Sequence, residues 1–112
     1  MLTIIIVIYK TDKKKLQSIL DKIDINIPII FVINSLNYNF DDLTISQKYI
    51  ILNCKNNGNG AAINLALKRV KTKYSMYLDV DISLEKNFFN KITNIAKGIK
   101  DFAILVPNHG YI

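Results

Sequence analysis

Two carboxylates two residues apart, Asp79 and Asp81, close an apolar run that begins at Tyr74. Tyr74, Met76 and Leu78 alternate with Ser75 and Tyr77, which reads as a buried strand over 74–78. Side chains i and i+2 of a strand share a side, so Asp79 and Asp81 are placed to face one cation together. Hard carboxylate oxygens suit a divalent ion and, through it, a phosphate. The plainer reading is a turn whose two acids face water, and an Asp-x-Asp alone does not separate the two. The only histidine, His109, is a candidate base or third metal ligand, with an uncommitted tail residue as its plainer reading. Glu85 is expected to be a first-turn helix acid favoured by the helix dipole. Cys54, the single cysteine, reads as a small buried residue near a strand end.

The rest of the chain supplies elements that can hold such a pair at a sheet edge. Leu2–Ile8 and Ile29–Ile33 are continuous apolar runs rich in β-branched residues, as expected of strands buried on both faces. Between them, Leu16, Ile19, Leu20 and Ile23 fall at helical spacing, with Thr11 or Asp12 as the cap and Pro28 as the latest stop. Residues 34–42 form a polar loop with Tyr38 and Phe40, and 43–46 suit one short helical turn. A third strand is expected over 49–52 and a loop over 53–60, where Asn and Gly tolerate left-handed backbone. A helix over 61–70 follows, its small residues allowing close approach to a sheet. Beyond the Asp pair, a helix over 84–96 carries Phe88, Ile92 and Ile95, Gly98 ends it, and a fifth strand spans 102–106 before Pro107. Strands alternating with helices imply an α/β fold: a mostly parallel open sheet with helices on both faces, three layers deep. Ligands of such sheets collect beyond the carboxyl ends of the strands.

The totals narrow the classes. At 112 residues the chain is read as one domain, 1–112, and at 50% hydrophobic and 21% charged it is globular. One cysteine allows no internal disulfide, so the expected compartment is reducing: cytoplasmic, including the inner face of the membrane. The apolar amino terminus lacks a basic leader and is too short to span a bilayer. A net charge of +6 permits anionic partners, from nucleotide phosphates to anionic lipid at a membrane surface. No Arg-rich, aromatic-interleaved stripe is present, which points away from nucleic acid. The densest basic runs, Lys10 with Lys13 to Lys15 and Lys68 to Lys73, read as solvated ends of helices or loops.

Four pieces, in order, resemble the amino-terminal, nucleotide-binding half of a family 2 glycosyltransferase with the GT-A fold. They are Ile4-Ile5-Ile6-Val7-Ile8-Tyr9, Ile29-Ile30-Phe31-Val32-Ile33-Asn34-Ser35, Asn56-Asn57-Gly58-Asn59-Gly60-Ala61-Ala62-Ile63-Asn64 and Tyr77-Leu78-Asp79-Val80-Asp81. Phe102-Ala103-Ile104-Leu105-Val106-Pro107 is similar to the strand that follows in that family. The resemblance implies a Rossmann-like core and a metal-dependent, inverting transfer of a sugar from a nucleotide-diphosphate sugar to an acceptor hydroxyl. Asp81 would bind the divalent cation, Mn2+ or Mg2+, and Asp79 would contact the ribose or the cation through water. Tyr9 would lie against the base. Asn34 stands at the polar end of the second strand, also on the nucleotide side. Gly58 would let its loop approach the nucleotide, and Asn56 and Asn64 would position that loop and the helix after it. Gly58 and Gly60 equally suit a plain turn, Asn64 a helix residue bonded to a neighbouring loop, and Tyr9 rim packing.

Two departures from the family pattern affect what is expected. Ile33 stands where the family has an acidic residue that contacts the base, and Lys10 where it often has Asn. The resemblance spans about the first half of a family member, so the acceptor-binding part and the catalytic base are expected outside these residues, in a partner chain, a self-dimer or further sequence. The alternative is a catalytically incomplete nucleotide-binding or scaffold module. A nucleotidyltransferase-like enzyme of the same layered fold is disfavoured, because no basic Gly-rich turn follows the first strand. An uncovered last strand, with apolar surface exposed where the missing half would pack, also leads to an expectation of self-association.

Overall fold

The computed structural model describes residues 2–35, 37–55 and 58–81, with Phe88, Lys91 and Asn94 as single helical positions. The expected fifth strand, most of the third helix, Asn56 and His109 lie outside the described residues. Four strands form one sheet: β1 (Leu2–Ile8), β2 (Ile29–Ile33), β3 (Tyr49–Asn53) and β4 (Tyr74–Tyr77). All pairings are parallel and the order is β3-β2-β1-β4. Two helices complete the described elements, α1 (Lys13–Lys22) and α2 (Asn59–Leu67). No helix among the described residues is long and apolar enough to cross a membrane.

The side-chain period of two sorts the core into two layers, one on each face of the sheet. Ile4, Ile6 and Ile8 of β1 and Ile29 and Phe31 of β2 pack with Leu16, Ile19, Leu20 and Ile23 from α1 and its end. Ile5, Ile30 and Val32 pack on the opposite face with Ala62 and Ala66 of α2 and with Cys54. The β1–β2 connection and the β3–β4 connection run in opposite senses across the sheet. Right-handed crossovers then put α1 and α2 on opposite faces, as observed. Each fully buried Ile or Phe in these layers contributes about 1.5–3 kcal/mol of transfer free energy. Phe88 joins the α1 layer, as the expected helical stripe required.

Asp12, rather than Thr11, caps α1: its Oδ1 accepts from the Lys14 N–H at 3.3 Å. Thr11 Oγ1 instead accepts from the Tyr9 N–H at 3.1 Å. Other boundaries differ from expectation by a few residues. α2 starts at Asn59 and ends at Leu67, because Arg69 and Val70 donate to Ala66 and Leu67, closing tighter i−3 turns. β3 runs on to Asn53, and β4 stops at Tyr77.

The segment 34–48 between β2 and β3 contains no helical turn at 43–46. Its turn lies at Asp41-Asp42, where the Leu43 N–H donates to Phe40 O at 3.0 Å. Thr44 gives both backbone groups to one side chain: its N–H donates to Gln17 Oε1 at 2.9 Å and its carbonyl accepts from Gln17 Nε2 at 3.1 Å. Those groups are thereby withdrawn from any local turn. Further ties join this connection to α1. The Tyr38 hydroxyl donates to Thr11 O at 2.9 Å, Lys13 Nζ meets Asp42 Oδ2 at 3.2 Å, and buried Gln47 Nε2 donates to Leu20 O and Ile23 O. The contacts advance together along both segments, so the connection runs beside α1 and parallel to it. Gln47 adds a second donor to Leu20 O, which already accepts from the Ile23 N–H at 3.2 Å, and also donates to Ile23 O at the helix end.

Candidate functional site

Strand order places one topological switch point in the described sheet. From β1 the chain moves to β2 and β3 on one side, then returns to β4 on the other. The connections therefore diverge above the carboxyl ends of β1 and β4, the position at which open α/β sheets form their ligand crevice. The register defines it further. Tyr77 pairs with Ile5, and the Leu78 N–H donates to Ile5 O at 2.9 Å. Beyond that level Ile6, Val7 and Ile8 have no β4 residue paired with them. The chain turns away at Val80-Asp81, and the two aspartates follow the point where β4 stops pairing with β1.

The pair is held by a turn and not by strand periodicity, since β4 has ended at Tyr77. Asp79 Oδ1 accepts from the Asp81 N–H at 2.9 Å, the Asx-type bond by which Asp organises its own turn. Asp81 Oδ1 meets Lys15 Nζ at 3.2 Å, across the crevice from the first turn of α1. Both aspartates are exposed. The Asp79 carboxylate is also felt by its neighbour: the Tyr77 phenol is raised above its ordinary pKa, first by burial and then by Asp79.

The β1 side of the crevice is built by backbone. Tyr9 is exposed at the end of β1, Lys10 adopts φ 49°, and the Lys10 ammonium lies 5.6 Å from the Tyr9 ring centroid. Asn34 is buried at the end of β2, and its N–H donates to Ile8 O at 2.7 Å, which fixes the two strand ends together. Next to it, Ser35 Oγ is buried with no hydrogen-bond partner among the described residues. Lys13, from the basic run at the start of α1, pairs with Asp42 at 3.2 Å.

The third motif is partly elsewhere. The Cys54 N–H donates to Ile33 O at 2.9 Å, Lys55 takes φ 56°, and Gly58 takes φ 90° as the cap of α2. Asn64 lines an open depression of about 430 Å3 with Cys54, Lys55, Leu65 and Lys68, and no described contact joins it to Asp79 or Asp81. The structure therefore brings Tyr9, Asn34, Asp79 and Asp81 to the carboxyl ends of neighbouring strands, and leaves Asn64 beside the β3 end. Cys54 is free and buried, as its apolar reading required.

Lys15 is the residue that sequence reasoning missed. Its signal was its place one residue before buried Leu16 and four before buried Ile19, at the end of the helix nearest the β1 carboxyl end. A side chain at that position lies on the rim of the packed face, beside the crevice.

Two carboxylates fit a divalent ion by donor chemistry. Each uses only its Oδ1 in a described contact, and Mg2+-like ions take one or two carboxylates and complete their shell with water and phosphate. Among the described residues no third His, Cys, Asp or Glu joins them. Comparisons with known protein families, with curated proteins and with solved structures return no match for this chain.

Proposed function

We propose that this chain is a Rossmann-like, GT-A-type nucleotide-binding domain that holds the donor half of a metal-dependent glycosyltransferase site. The observation that carries the reading is the Asp79–Asp81 turn at the switch point between β1 and β4, faced by the lysine-bearing start of α1. Asp81 and Asp79 are the residues that would hold Mn2+ or Mg2+, and Tyr9 offers an exposed ring for a base. A cation bound there supplies neutralising charge for a diphosphate leaving group. Asp79 keeps Asp81 presented by holding its amide, and Asn34 fixes the β1 end on which Tyr9 stands. The inverting transfer expected for such a site needs a general base and an acceptor pocket, which the proposal places outside the described residues.

Ile33 favours a second reading, a nucleotide-binding module without transfer activity. It is a half-buried strand residue between Ile8 and Asn53, where the resembled family carries a base-contacting acid.

Calorimetric titration with UDP, GDP, CDP and dTDP, with and without Mn2+, tests both readings. Metal-dependent binding of one nucleotide, lost in Asp81→Ala, is the expected result. Turnover of the corresponding sugar nucleotide then separates transferase from module. A folded protein that binds none of the four sinks the donor-site reading.

A further inference from the structure

We propose that Lys15 is a two-state partner of the site: it neutralises Asp81 in the ligand-free protein and turns to the nucleotide's β-phosphate when a divalent cation takes the carboxylate. This rests on the donor-site reading above. The start of α1 carries Lys13, Lys14 and Lys15 and no acid in its first turn. Cations at a helix amino terminus oppose the helix dipole, so local helix energetics do not account for three of them. Lys13 has Asp42, in the connection between β2 and β3, as its counter-ion. Lys15 instead spans the crevice to Asp81, 66 residues distant in sequence, at 3.2 Å. Its ammonium thereby joins the first turn of α1 directly to the Asp79–Asp81 turn.

The exposure of the pair makes it exchangeable. Side chains 59% and 68% exposed form a solvent-screened contact, weak enough for a divalent ion to displace. Lysine suits the second state, being a compact point charge on a flexible stem and a common phosphate ligand. The displaced ammonium remains within a short rotation of an anion bound between the Asp turn and the α1 amino terminus. One side chain thus neutralises Asp81 without ligand and adds charge to the diphosphate with it.

The test compares wild type, Lys15→Gln, Lys15→Arg and Lys14→Gln by calorimetry. The probes are Mn2+ alone, the nucleoside diphosphate selected by the panel with Mn2+, and its monophosphate with Mn2+. Lys15→Gln is expected to bind Mn2+ alone about 3-fold tighter, since a competing surface charge is gone. It is expected to bind the diphosphate about 10-fold more weakly, the scale of one lost charged hydrogen bond, with monophosphate binding unchanged. Lys15→Arg retains diphosphate binding. Diphosphate and Mn2+ affinities in Lys15→Gln equal to those of Lys14→Gln overturn the role of Lys15 and leave the donor site standing. A wild type that binds no diphosphate overturns both.

Discussion

At the scale of single residues, the commitments of polar side chains explain which roles the sequence reveals, with Ser35 Oγ and Gln47 Oε1 buried without a partner among the described residues. Asp79 and Asp81 were legible as a pair because two acids abruptly end an apolar run. The strand before them, expected to be buried, is half exposed: Ser75 and Tyr77 face solvent and only Leu78 beyond it is fully buried. The geometry of the pair was not legible, because a strand and an Asx turn both follow from Asp-x-Asp. Lys15 and Gln47 were invisible for a related reason: their partners, Asp81 and the Leu20 and Ile23 carbonyls, are distant in sequence. Tyr38 shows what such a commitment implies for pH. Its hydroxyl donates to Thr11 O, and its pKa is raised, first by burial and then by the Asp12 carboxylate. A folded value above the unfolded one means that this contribution is complete below about pH 10 and is lost as pH rises through the folded value. The phenolate also has no proton to donate. The urea midpoint is expected to fall as pH is raised from 9 to 11. Tyr38→Phe should start about 1 kcal/mol less stable at pH 8, from the missing hydrogen bond, and lose less on the way up.

At the scale of elements, the strands were the clearest part of the sequence. Leu2–Ile8 and Ile29–Ile33 are found at their expected bounds, because continuous β-branched apolar runs fit only a sheet packed on both faces. Segment 43–46 was not legible, since its shape is set by Gln17 and not by its own residues. The start of α2 depends on Gly58, whose φ of 90° with ψ of 160° is a conformation open essentially to glycine alone. A Cβ there would meet no atom within 4 Å, so the cost of Gly58→Ala is backbone strain without a clash. That substitution should destabilise the fold by about 1–3 kcal/mol in urea denaturation. Gly60, inside the helix with open space around it, should tolerate alanine or gain from it.

For the molecule as a whole, β3 presents an exposed apolar edge among the described residues. It is an edge strand of the described sheet, and Tyr49, Ile50 and Ile51 are 44%, 36% and 41% exposed, with side chains on both faces. Such an edge is a template for further pairing. Lys48 and Lys55 flank it, and an antiparallel partner would bring these charges near their counterparts. Self-association is therefore expected to strengthen with salt, as the repulsion is screened. Ile51→Lys should abolish it. Sedimentation at 50 mM and 500 mM NaCl checks this; a monomer at every concentration and salt would remove the edge from consideration.

The stitching of α1 to the segment beside it has a consequence for how the protein breathes. A helix end sealed only by its own residues frays alone, and its terminal amides exchange with solvent early. Here the carboxyl end of α1 is closed by Gln47, and its middle is tied to Thr44, so the last turn cannot open without releasing the connection. Helix and connection should behave as one cooperative opening unit. Native-state hydrogen exchange should then give Leu20, Ile23 and Thr44 amides a common opening free energy and a common response to urea. Gln47→Leu should split that unit in two, with the helix end exchanging first and the β1 amides keeping their protection.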